Sequence, residues 1–235
     1  MASGNEHTVK AFDDEITELR ALISEMGGRA ETAIADAIAA LTRNDLALAE
    51  SVVRSDRHID HLETEVEKLA VRIIALRAPM ANDLRDVVAA MKIAGVVERI
   101  GDYAKNIAKR VPELERERRI EAVSVLPAMA GVAGAMVHDV LNAFAARDPV
   151  TAQRVVARDR EVDDFYNSVF RTLLTHMMED ATSITSAAHL LFIAKNLERV
   201  GDHATNVAEM VYYAATGEYL AERERHATVS GIEDA

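Results

Sequence analysis

The chain has no cysteine and no tryptophan, and its 235 residues include only four prolines, ten glycines, five phenylalanines and five tyrosines. Without thiols there is neither a disulfide nor a thiolate metal site, so any metal must be held by oxygen or imidazole, and secretion gains no support. The scarcity of rings and turn residues leaves Ala, Leu, Val, Ile, Glu and Arg to build the fold, which favours helices over sheets. No stretch approaches the roughly 20 apolar residues that cross a bilayer. Met1–Lys10 lacks a cationic segment followed by an apolar run, so no signal peptide is expected. Basic charge is also short: 27 Lys and Arg against 39 Asp and Glu leave a formal net charge of −12 with no basic block. That argues against binding to nucleic acid or anionic lipid. Cations and basic protein surfaces suit this charge, and the expected location is the cytoplasm.

What the chain does have is helical periodicity and a repeat. Apolar residues from about 12 to 41 recur at helical spacing, with Gly27-Gly28 as a weak point. Asn44-Asp45 then reads as a turn and cap, and a second helix runs to about Leu76, closed by Pro79. A third is expected from about Asn82 to Val111, stopped by Pro112. After a charged connector, Glu113 to Glu121, the order repeats: a helix from about Ala122 to Ala146, whose regular part starts later because of Pro127; a fifth from Asp148-Pro149 to about Met177; a sixth from about Ser183 to Thr216. Gly217 reads as a stop and the polar tail as partly frayed. The expected fold is all-α: two tandem three-helix bundles, six antiparallel helices in a pseudo-two-fold repeat, covering 8–112 and 122–217, with a tail at 218–235.

The strongest signal of duplication is Glu98-Arg99-Ile100-Gly101-Asp102-x-x-x-Asn106, which returns as Glu198-Arg199-Val200-Gly201-Asp202-x-x-x-Asn206. Residues 91–111 and 191–211 share ten identities in 21 positions. A second pair aligns at an offset of 103: Asp56-Arg57-x-x-Asp60 with Asp159-Arg160-x-x-Asp163. A spacing of four sets two carboxylates side by side on one helical face, where they repel unless something binds them. On adjacent antiparallel helices, Asp56 and Asp60 meet Glu98 and Asp102, and Asp159 and Asp163 meet Glu198 and Asp202. Four carboxylates with Asn106 or Asn206 as neutral donors suit hard or borderline cations such as Mg²⁺, Mn²⁺, Ca²⁺, iron or zinc, in mononuclear or multinuclear form. Gly101 and Gly201, costly in mid-helix, point to close helix approach.

A plainer reading stands beside this one: surface ion pairs in which Arg57, Arg99, Arg160 and Arg199 neutralise the carboxylates, each worth ~0 to 1 kcal/mol. His58, His61 and His203 adjoin the motifs, yet a neighbouring residue points about 100° away on a helix. The chain carries no Walker loop, G-x-S-x-G, H-E-x-x-H or Rossmann glycine pattern, and no nucleophile or general base stands out. Catalysis is therefore the lesser reading.

The acidic repeats, together with Leu76-Arg77-Ala78-Pro79-Met80-Ala81-x-Asp83-Leu84-Arg85 after the second helix, resemble the PhoU family of phosphate-transport regulators over about residues 8–217. The resemblance implies a non-enzymatic negative regulator of the phosphate-starvation response that modulates high-affinity phosphate uptake. Such a protein works as a cytoplasmic adaptor, peripheral to the membrane through its partners: the ATPase subunit of the phosphate ABC transporter and a sensor histidine kinase. It further implies a homodimer, and metal sites at Asp56, Asp60, Glu98, Asp102 and Asn106 and at Asp159, Asp163, Glu198, Asp202 and Asn206. The second repeat has Glu179 to Thr185 in place of the Pro79 to Arg85 segment, so a function resting on that segment belongs to the first repeat alone. Two alternatives remain at this level: an accessory protein for a low-affinity phosphate carrier, and a metal-dependent helical enzyme or metal store.

Overall fold

The computed structural model describes residues 3–115 and 124–220, all helix, turn or coil with no strand among them. Helices run α1 (Ser3–Arg43), α2 (Leu46–Ser55), α3 (Arg57–Arg77), α4 (Asn82–Ala108), α5 (Val111–Glu115), α6 (Leu126–Ala146), α7 (Pro149–Glu179) and α8 (Ile184–Thr216), with a 3₁₀ turn at Ala181–Ser183 before the last. The connector 116–123 and the tail beyond 220 lie outside the described residues, and with them the expected start at Ala122 and the fraying of the tail.

Where α6 enters the description, Pro127 sits in its first turn, where a missing N–H costs nothing. Asp45 and Asp148 cap α2 and α7 as their sequence contexts predict, accepting from Leu48 N–H and from Val150 and Thr151 N–H. Gly217 ends α8 at φ 80°, its N–H donating to Tyr213 O. Ala78 and Ala81 take φ 45° and 50° without a glycine's freedom, which concentrates backbone strain in the α3–α4 hairpin.

Four expectations are corrected. Gly27-Gly28 does not weaken α1, which is continuous; Gly27 is buried because Leu141 of α6 packs against its bare backbone. The second helix is two segments, α2 and α3, parted at Asp56, where Ile59 N–H closes a short-range bond to Asp56 O at 2.8 Å. Pro112 opens the short α5 instead of ending α4, which stops at Ala108. Finally, α6 is long and apolar enough by composition to cross a bilayer, with a mean hydropathy of 1.3. Half of that window is buried inside the molecule, and α6 packs on α1, α7 and α8, which marks a core helix.

Within each repeat the helices pack on one another: α1 with α3 and α4, and α6 with α7 and α8. Across repeats α1 meets α6 and α4 meets α8, so these four form a central layer, with α2, α3 and α7 outside. A single apolar core runs from Leu19 of α1 to Ala214 of α8. Small buried residues such as Ala30, Ala37, Ala90, Ala94, Ala133 and Ala204 let the central helices approach closely. A buried charged tie crosses this layer. Buried Asp86 of α4 receives Arg20 of α1 at 3.1 Å and Arg147, just past α6, at 2.9 Å. Burial raises the Asp86 carboxyl, while the two guanidiniums oppose that rise.

Candidate acidic sites on the paired helices

The paired carboxylates lie where outer helices meet the central layer. Asp56 and Asp60 on the α2–α3 side face Glu98 and Asp102 of α4, and Asp159 and Asp163 of α7 face Glu198 and Asp202 of α8. The glycines make this approach possible. A Cβ at Gly101 would stand 2.8 Å from Ile59 Cδ1 and 3.6 Å from Asp56 Oδ1. At Gly201 it would stand 3.2 Å from Asp159 Oδ1 and 3.4 Å from Val162. The expectation of close contact at both glycines is met.

Proximity and partial burial leave their mark on the protons. Burial pushes Glu98 up to about 7, with Asp102, Glu63, Asp60 and Asp56 adding repulsion. Burial likewise pushes Asp163 up to about 6, helped by Asp159, Glu198 and Asp202. Asp60 and Glu198 are raised for the same first reason; Lys195 holds Glu198 back, whereas Asp56 drives Asp60 further. Asp60, Glu98, Asp163 and Glu198 thus each feel neighbouring carboxylates of their own repeat.

Two lysines complete the sites, and the sequence reading passed over both. Lys105 Nζ donates to Asp56 and to Asp102, bridging the two helices. Burial works to lower this ammonium, but those two bonds outweigh it and hold it raised. In the second repeat Lys195 Nζ donates to Glu198 Oε1 at 2.6 Å, and Glu198 Oε2 is buried with no hydrogen-bond partner. Glu63 was passed over as well. It lies on α3 within 3.3 Å of where a Gly95 Cβ would be, and it adds charge against Glu98. Spacing offered a signal for all three: Lys105 follows Asp102 by three positions, Lys195 precedes Glu198 by three, and Glu63 follows Asp60 by three.

Among the described residues, no three His, Asp or Glu side chains converge at metal-ligand spacing. Every fourth residue turns a further 40° or so around the helix, and in the second repeat exposure rises along the motif. Glu198 is buried, Asp202 half-buried and Asn206 exposed, while Asn106 is half-buried. The histidines are engaged elsewhere. His58 is bonded to Ser55 O and His61 pairs with Glu65. His203 meets Arg199 O through Nδ1 at 2.9 Å, so Nδ1 donates and Nε2 accepts from Tyr103 O–H at 3.3 Å. Tyr103 and His203 hold matching positions of the two repeats, and Arg199 lies over the Tyr103 ring. The carboxylates of each repeat are thus grouped without converging as a ligand cage among the described residues, and one of their oxygens, Glu198 Oε2, is buried without a hydrogen-bond partner.

The family model of the PhoU domain matches residues 23–111 and again 126–211, one match per repeat. A phosphate-specific transport system accessory protein PhoU homolog from Zymomonas mobilis is 58% identical over 219 residues, 93% of this chain and 92% of its own length. The Escherichia coli phosphate-specific transport system accessory protein PhoU is 36% identical, over 91% of this chain and 89% of its own. The crystal structure of PhoU from Pseudomonas aeruginosa superposes with a TM-score of 0.84 at 35% identity, covering 88% of this chain and all of that one. That of the phosphate transport system regulatory protein PhoU from Streptococcus pneumoniae gives 0.83 at 29%, over 90% of this chain and all of its own. Two acidic repeats on two helical units, matched over about nine tenths of the chain in sequence and in fold, make this chain a member of the PhoU family.

Proposed function

We propose that the chain is a non-enzymatic accessory protein of a phosphate transport system, located in the cytoplasm. It represses the phosphate-starvation response by contacting the transporter ATPase and a sensor histidine kinase. The observation that carries this reading is the match, over about nine tenths of both chains, to relatives named as phosphate-specific transport accessory proteins. The surface supports it. Leu76 and Met80 at the α3–α4 hairpin are 68% and 80% exposed, and Met178 at the α7–α8 hairpin is 80% exposed, apolar tips suited to protein contacts. The net charge of −12 suits a basic partner face, and the working unit is a homodimer. Deleting the gene is expected to raise alkaline phosphatase and transporter expression in phosphate-rich medium; expression that stays low would sink the reading.

The carboxylates of Asp56, Asp60, Glu98 and Asp102, with Asn106, and of Asp159, Asp163, Glu198 and Asp202, with Asn206, would hold divalent or iron ions. A bound cation supplies positive charge to carboxylates that burial has left short of it. The support is the unpartnered Glu198 Oε2 and the raised Asp163 carboxyl of the same cluster.

A further inference from the structure

We propose that the α3–α4 hairpin of the first repeat is a preformed docking knob, whose Leu76 and Met80 enter an apolar pocket, rimmed by Lys or Arg, on a protein of the transport system. The inference rests on the reading of the chain as an accessory protein of that system and names the surface that reading needs.

The segment is built against local preference. Ala78 leaves α3 at φ 45° and ψ 55°, and Ala81 enters α4 at φ 50° and ψ −112°. Glycine takes such angles freely, whereas a Cβ makes them costly. Ala81 also occupies the N-cap of α4 with no side chain to accept from the first turn, where α2 and α7 have Asp45 and Asp148. A backbone held off its minima persists only where surrounding contacts fix it. Two anchors do so here. Arg77, at the end of α3, donates to Glu15 of α1 at 2.9 Å. Arg85 donates to Asn82 and lies against Gly217 at the end of α8, where a Cβ would stand 3.3 Å from Arg85 Cζ. The hairpin is thus gripped from its own repeat and from the other.

What the anchors fix is an apolar tip. Leu76 and Met80 are largely exposed, and Leu84 and Val88, four apart on α4, extend the apolar surface. The second repeat is built differently. None of residues 179–184 takes a positive φ, and Asp180 caps the 3₁₀ turn there by accepting from Thr182 N–H at 2.9 Å. Strain therefore belongs to the hairpin whose Pro79 to Arg85 segment has no copy. Shape and charge choose the occupant. A hairpin tip is convex and calls for a concave partner, while two copies set tip to tip would oppose knob to knob and Asp83 to Asp83. Asp83 is exposed in the first turn of α4, whereas Arg72 and Arg77 both face Glu15. Negative charge beside apolar side chains, in a chain of net charge −12, disfavours anionic lipid and fits a pocket with a basic rim.

The test is calorimetric titration of the full-length chain with the purified ATPase subunit of the transporter, with thermal melting of each variant alongside. Leu76→Ser combined with Met80→Ser is expected to weaken binding about tenfold or more. Asp83→Asn should flatten its salt dependence. Ile184→Glu, on the other hairpin, should leave binding unchanged. Ala81→Gly separates a docking role from a merely structural one. It is expected to raise the thermal midpoint by about 2–4 °C and yet to weaken binding by about three- to tenfold, because the free tip loses its set shape. Unchanged binding by the double serine variant or by Ala81→Gly, or an equal loss in Ile184→Glu, would overturn the knob and leave the accessory reading intact. So would a homodimer that the double variant dissociates, which assigns the tip to a second copy. An unaltered chain that does not bind the ATPase subunit would overturn both.

Discussion

Glu98 shows what clustering does to one side chain. Its carboxyl stands at about 7 in the folded chain against 4.5 ordinarily, so the native state binds this proton more tightly than the unfolded state does. Stability of the metal-free protein therefore carries no penalty from Glu98 below about pH 4.5 and declines as pH rises toward about 7. Solvent screening reduces the penalty to about 1–2 kcal/mol. Glu98→Gln in chelator is accordingly expected to raise the urea midpoint near pH 8 and to change it little near pH 4.5. An equal gain at both pH values would show that the carboxylate's charge is not the cause. Asp163, pushed up to about 6, drives the same trend from the second repeat. Lys105 offsets it in the first, and its bridge from Asp56 to Asp102 shows how charge repulsion between helices is met internally.

At the scale of the element, adjacent glycines in one helix play opposite parts. A Cβ at Gly27 would fall 2.1 Å from Leu141 Cδ1, which is itself buried, whereas one at Gly28 meets nothing within 4 Å. Gly27→Ala overfills the α1–α6 contact, at a cost of about 1–3 kcal/mol that exceeds the helix propensity it gains. Gly28→Ala gains up to about 1 kcal/mol. Thermal melting should therefore fall for the first and rise for the second; equal shifts would show that α1 and α6 can part at no cost. The same logic explains Gly101 and Gly201, which let α4 and α8 sit against the outer helices closely enough for their carboxylates to interact.

Over the whole molecule, one apolar core spans both repeats, and the central layer of α1, α4, α6 and α8 belongs to neither alone. The acidic clusters lie at the rim of that core. Chelation is therefore expected to leave the helical circular dichroism intact, because burial of apolar surface, not metal, supplies the folding energy. Loss of helix after chelation would make the ions structural. Asp86, held by Arg20 and Arg147 from both repeats, shows that the layer is also fixed in register by charge.

By itself the sequence determined the helical class, the duplication, the caps at Asp45 and Asp148 and the stop at Gly217, because each depends on periodicity or on hydrogen bonds between near neighbours in the chain. It also brought the four carboxylates of each repeat to facing helices, since spacing of four and hairpin folding are both local rules. Only the tertiary structure decided that Lys105 would bridge α3 and α4, that Lys195 would leave one oxygen of Glu198 bare, that Gly27 would admit Leu141 and that Asn206 would face solvent. These depend on the rotation and separation of helices distant in sequence, which packing sets and periodicity does not. The acidic motif is thus legible as a motif, while the difference between its two copies lies in what the neighbouring helices bring against it.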